Sequence, residues 1–115
     1  MNVDLLMGIS EKLVREIVQR ITSVTQPDRI ILFGSASTGG MTKDSDIDLL
    51  VLERETPDNR KERLRIRQAL NDLGHSFDVI VMPTERFEES KNVIGGIAYP
   101  AHKYGRVVYD VAGRG

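Results

Sequence analysis

The sequence predicts an α/β sandwich in which helices pack on a small sheet, and three observations predict it. Three short apolar runs, Arg29 to Phe33, Ile47 to Leu52 and Phe77 to Met82, have the length and β-branched content of buried strands. Stretches with apolar residues at helical spacing stand before the first run and between the second and third. At 115 residues the chain suits one domain, 1–115, which buries roughly 65% of the surface its unfolded form exposes. That supports one real core but no large enclosed cavity, so a site on an open face, or one completed by a partner, is expected.

Ile9, Leu13, Ile17 and Ile21 recur every four residues, with Leu6 and Val14 nearby, which makes an amphipathic helix that Ser10 is placed to cap. Gln26-Pro27-Asp28 ends it, and RIILF then runs into Gly34 as a strand. Residues 34–45 are rich in Gly, Ser and Thr without periodicity and read as a loop. IDLLVL follows; its inner half is apolar on both faces, which places it mid-sheet. Thr56-Pro57 offers an N-cap and first helical position, Ile66, Ala69, Leu70 and Leu73 mark one helical face, and Gly74 closes it. FDVIVM is a third strand, stopped by Pro83, and Thr84 is placed to cap a short helix through Glu89. Between Ile94 and Tyr104, Ile94, Ile97, Ala98 and Ala101 have helical spacing while Gly95, Gly96 and Pro100 oppose it, so a proline-distorted helix is expected. Val107 to Tyr109 adds a last short strand.

Apolar residues at 40% and charged residues at 29% mark a globular chain rather than a disordered one. The net charge of −1, from 16 basic and 17 acidic residues, gives no global basic field, so direct nucleic-acid binding is not expected. The absence of cysteine excludes disulfides, zinc–thiolate sites and thiol catalysis, and fits a cytoplasmic location. Residues 1–8 lack a signal-peptide pattern, and no apolar run approaches the ~20 residues of a membrane span, so no membrane role is expected.

Asp46 and Asp48 carry the chemistry. Side chains two apart on a strand point the same way, roughly 6.5–7 Å apart along the chain, so both face one side where a hydrophobic strand begins. Paired carboxylates repel unless a cation lies between them. Asp78 opens the next strand between Phe77 and Val79; if the two strands are neighbours, it joins the pair. Three carboxylates on one face suit hard divalent cations, and two such ions roughly 3.5–4 Å apart can clamp both oxygens of a phosphoryl displacement. An isolated Asp-x-Asp is usually only a solvated strand start. The preceding Gly34-Ser35 turn argues against that, because glycine lets backbone amides approach phosphate oxygens and serine adds a hydroxyl. Gly39 and Gly40 allow the loop to fold back toward the carboxylates. The turn is not a P-loop, since the Gly-Lys-Ser/Thr ending is missing.

Gly34-Ser35, ten residues, then Asp46-Ile47-Asp48 resembles the signature of the nucleotidyltransferase superfamily that includes DNA polymerase β. The string LFGSASTGGMTKDSDIDLLV is most similar to the minimal nucleotidyltransferase (MNT) group, and the resemblance runs from the first helix to about Tyr109. It implies an α/β (α+β) nucleotidyltransferase fold, a small mixed sheet flanked by helices. It implies that Gly34, Ser35 and Ser45 hold the nucleoside triphosphate, ATP, and that Asp46 and Asp48 bind Mg²⁺. Asp78 would bind the catalytic metal and help deprotonate the attacking hydroxyl, the three aspartates together being the catalytic and metal-binding set. The implied function is Mg²⁺-dependent transfer of AMP to a hydroxyl, a tyrosine of a helical HEPN toxin, by the antitoxin of a toxin–antitoxin pair, in a hetero-oligomer or as a homodimer. The loop departs from the family in one respect: Ala36, Ser37 and Thr38 stand where relatives often carry basic residues or tyrosine, leaving Lys43 as its only basic residue.

Two rival readings stand beside this one. A non-catalytic antitoxin or regulatory subunit would neutralise a helical toxin by binding alone. Half of a small-molecule nucleotidyltransferase would need a helical domain supplied by a partner. Other features read more blandly. The basic run Arg60, Lys61, Arg63, Arg65 and Arg67 is a solvated helix surface by default, with an acidic partner or RNA as the rival. His75 and His102 are surface residues, Tyr99, Tyr104 and Tyr109 packing residues, and Asp44 precedes the strand as a lesser candidate ligand.

Overall fold

In the computed structural model, which describes residues 9–34, 46–54 and 58–113, the first helix starts where the sequence predicts. The Ser10 side chain accepts a hydrogen bond from the Leu13 amide at 3.0 Å, which satisfies one otherwise free N–H of helix α1, Glu11–Val24. Val14, Ile17 and Ile21 form its buried stripe. Leu6 lies outside the described residues.

Among the described residues four strands, β1 (Arg29–Phe33), β2 (Ile47–Glu53), β3 (Phe77–Pro83) and β4 (Arg106–Asp110), form one sheet in the order β3-β2-β1-β4. β1 pairs antiparallel with β2 and β4, while β2 pairs parallel with β3, so the sheet is mixed as expected. β2 is interior, and its apolar residues Ile47, Leu49, Leu50, Val51 and Leu52 are all fully buried. A parallel pair needs a crossover, supplied by helix α2, Asn59–Ala69. The expected start at Thr56-Pro57 lies outside the described residues; the cap is Asp58, whose carboxylate accepts from the Lys61 amide at 3.1 Å. A 3₁₀ turn, Asn71–Leu73, follows, and Gly74 closes it with φ +80°, a conformation glycine adopts without strain.

Two expectations in the second half need correction. Thr84 does not cap helix α3, Thr84–Ser90: it is the first helical residue, and its hydroxyl donates instead to Asp28 at 2.6 Å. The helix expected from Ile94 is shorter, α4, Ala98–Tyr104, with turns over 93–97. Pro100 does not distort it, because it sits in the first turn, where a backbone N–H has no partner within the helix.

Period-two alternation in the strands builds two cores. Ile30, Leu32, Ile47, Leu49, Val51, Val79 and Val81 pack under α1 and α2. Ile31, Phe33, Leu50 and Leu52 pack on the other face with Phe87, Ala98 and Ala101 of α3 and α4. Tyr109 packs against the first core, but Tyr104 is 58% exposed and is not a packing residue. No helix among the described residues is long and apolar enough to cross a membrane.

Candidate active site

The parallel register of β2 and β3 sets Asp48 directly opposite Asp78, and the antiparallel register of β1 and β2 sets Phe33 opposite Asp48. The C-terminal end of β1 and the N-terminal ends of β2 and β3 therefore meet at one end of the sheet. Asp48 alternates with Leu50 and Leu52, and Asp78 with Ile80 and Met82, so both aspartates lie on the α3–α4 face. Asp46, two residues before Asp48, stands at the rim and is exposed, as is Asp78, while Asp48 is half-buried.

Electrostatics links the three. Burial pushes the Asp48 carboxyl above the ordinary carboxylate range, and the Asp78 and Asp46 carboxylates push it further. Gly34 closes the site on the β1 side. Its φ of +68° is left-handed, and a Cβ there would collide with Oδ2 of Asp48. Glycine is thus required twice, for the turn that leaves β1 and for the carboxylate lying against its backbone.

The donor set fits a hard divalent cation: three carboxylates, two of them in register, whose like charges a cation would relieve. Among the described residues, no three acidic, histidine or cysteine side chains are already gathered around one cation position. Ligation would require the carboxylates to turn toward a common point. Ser35 and Ser45, expected to bind nucleotide, lie outside the described residues, as do Lys43 and Asp44.

One feature was not legible in the sequence. A cavity of about 370 Å³ opens beside Asp46, lined by Arg67, Asn71, His75, Ser76 and Phe77. His75 is exposed as expected and stands edge-on to Phe77, ring centres 6.4 Å apart. His102 is likewise exposed, edge-on to Phe87. The basic run announced Arg67; its position beside Asp46 depends on how α2 crosses the sheet.

A mixed sheet with carboxylates gathered at its open end is the arrangement expected of a transferase. A family model described as a nucleotidyltransferase domain matches residues 11–100, and the chain belongs to that family. A curated Methanocaldococcus jannaschii protein, provisionally named a protein adenylyltransferase, is 30% identical over 74 residues, covering 63% of this chain and 74% of its own. Solved structures share the fold. A chain of a toxin–antitoxin complex with AMP-PNP superposes with a TM-score of 0.65 at 23% identity, over 84% of this chain and 73% of that one. A chain from the complex of a tri-AMPylated Shewanella oneidensis HEPN toxin with MNT antitoxin gives 0.56 at 21%, over 86% and 71%. A Sulfolobus solfataricus protein described as a nucleotidyltransferase gives 0.61 at 20%, over 89% and 81%.

Proposed function

We propose that this chain transfers AMP from ATP, with Mg²⁺, to a tyrosine hydroxyl of a HEPN-type toxin, and so acts as the cytoplasmic antitoxin of a toxin–antitoxin pair. The observation that carries the chemistry is the in-register pairing of Asp48 with Asp78, beside Asp46 and the Gly34 turn. The named activity of the Methanocaldococcus relative supports a protein acceptor, and the AMP-PNP and AMPylated-toxin complexes of the same fold support the donor and partner.

Asp46, Asp48 and Asp78 would hold Mg²⁺, which supplies neutralisation of the triphosphate and of charge developing on the leaving group. The Gly34 backbone, with Ser35 and Ser45, positions the phosphates on the β1 side. Asp78 takes the proton of the acceptor hydroxyl as its oxygen bonds to the α-phosphorus; the bond to the β-phosphate oxygen breaks and pyrophosphate leaves. Holding donor and hydroxyl in line supplies most of the rate, as in phosphoryl transfer generally.

The test incubates the protein with Mg²⁺, α-labelled ATP and a HEPN-type protein from the same genome. The expected result is a toxin whose mass rises by AMP and whose label maps to tyrosine. A toxin unchanged in mass across ATP, GTP, CTP and UTP would sink the proposal. If Asp48→Ala neutralises the toxin as well as wild type at equal abundance, binding alone is the function.

A further inference from the structure

Helix α2 carries five basic residues and one acidic residue between Asn59 and Ala69, in a chain whose net charge is −1. All five are exposed. Of these five, only Arg65 has an ion pair among the described residues, with Glu62 at 3.3 Å. Arg60, Arg63 and Arg67, spaced three and four apart, form one exposed row along the helix, flanking its buried stripe of Ile66 and Leu70. Leu64, 55% exposed, stands beside them, and Asn71 continues the row one turn beyond Arg67. The row ends in the cavity that Arg67, Asn71, His75 and Phe77 share with Asp46. Three arginines therefore lead to a catalytic carboxylate.

Resting on the protein-acceptor reading above, we infer that this face of α2 docks an acidic segment of the acceptor protein, which turns round the rim at Asp46 to bring its hydroxyl to Asp78 on the opposite face of the sheet. Geometry favours this side. Among the described residues β3 is an edge strand with no strand beyond Asp78, whereas the Gly34 turn occupies the β1 side of Asp48. Arg60 to Arg67 spans roughly 10 Å, the length of about three extended residues, so a short acidic stretch beside the target hydroxyl can meet all three guanidinium groups. Their charge also offsets the repulsion an acidic segment would meet from the three aspartates. A protein fits better than RNA. Leu64 offers an apolar contact, and the chain as a whole carries no basic excess.

Two peptides of equal length test this, each with one tyrosine, flanked by Glu and Leu in one and by Lys in the other. Binding is read by fluorescence anisotropy and transfer from labelled ATP with Mg²⁺. Wild type should prefer the acidic peptide, and added salt should erode the preference. The Arg60→Ala/Arg63→Ala variant should raise Kd and KM for the acidic peptide about tenfold, with the loss in KM rather than kcat. Its affinity for AMP-PNP and its thermal melt should match wild type, since both arginines are exposed. Equal binding of the two peptides, an undiminished preference in the variant, or displacement of the acidic peptide by a lower concentration of single-stranded RNA would overturn the inference. If wild type binds the acidic peptide with this preference yet transfers no label, the docking surface stands and the transferase reading falls.

Discussion

The two ends of β2 meet the same physical difficulty and answer it differently. At its C-terminal end Glu53 is only 4% exposed, and burial, with the nearby Glu62, pushes its carboxyl up to about 7. The chain itself answers that burial. The Thr25 hydroxyl lies 2.6 Å from Glu53 and 2.7 Å from Glu62, and Arg65 pairs with Glu62. A hydroxyl has one proton to donate, so the second of those short contacts needs a proton held on a carboxyl. At the N-terminal end, Asp48 is also raised, but the groups acting on it are carboxylates of its own sign, and it opens to a rim where Asp46 and Asp78 are exposed. A charge compensated from within is structural; one left uncompensated at an open end is available to a ligand.

The sharpest way to break that contrast is Asp48→Asn. Transfer of labelled AMP should fall roughly 10³-fold, the order expected when a group that stabilises the transition state is lost. The thermal midpoint should hold or rise, because a repelled carboxylate has been removed. A variant that loses stability along with activity would make Asp48 structural, like Glu53. Gly34→Ala comes next. The left-handed turn should cost about 1–2 kcal/mol in urea unfolding, and displacing the Asp48 carboxylate should cost transfer roughly 10²-fold.

Glu53→Gln sharpens the other end. The Glu53 carboxyl is raised from 4.5 to about 7, so the folded state binds its proton more tightly than the unfolded state. Wild-type stability should therefore fall as pH rises from about 4.5 to about 7 and level off above that, by on the order of 3 kcal/mol. Urea unfolding of Glu53→Gln should lose most of that slope and leave the variant relatively more stable at high pH. An unchanged slope would remove Glu53 from the contrast. The smallest effect belongs to Asp72→Asn, which breaks the solvent-exposed pair with Arg20. Its thermal midpoint should drop slightly at low salt and match wild type at high salt, with transfer unaffected.

Most of the fold was readable because each strand is a short apolar run with its own stop signal, and β2 is apolar on both faces, as an interior strand must be. The site was readable in part. Asp-x-Asp parity put Asp46 and Asp48 on one side, but the neighbouring of β2 and β3 was a condition, met only by the crossover through α2. The cap at Asp58 and the length of α4 were misjudged because competing caps and a first-turn proline look alike in sequence. The cavity beside Asp46 had no local signal, since its walls come from the end of α2, the turn after it and β3.

Cation binding at the open end of β2 can be measured without any acceptor or turnover. Mn²⁺ titrated into wild type, Asp48→Asn and Glu53→Gln, with AMP-PNP present, reports bound metal by electron paramagnetic resonance. Wild type and Glu53→Gln should bind alike, while Asp48→Asn should weaken binding at least about tenfold, as loss of one ligand does. Equal Mn²⁺ affinity in Asp48→Asn and wild type would contradict the assignment of the three aspartates to a metal.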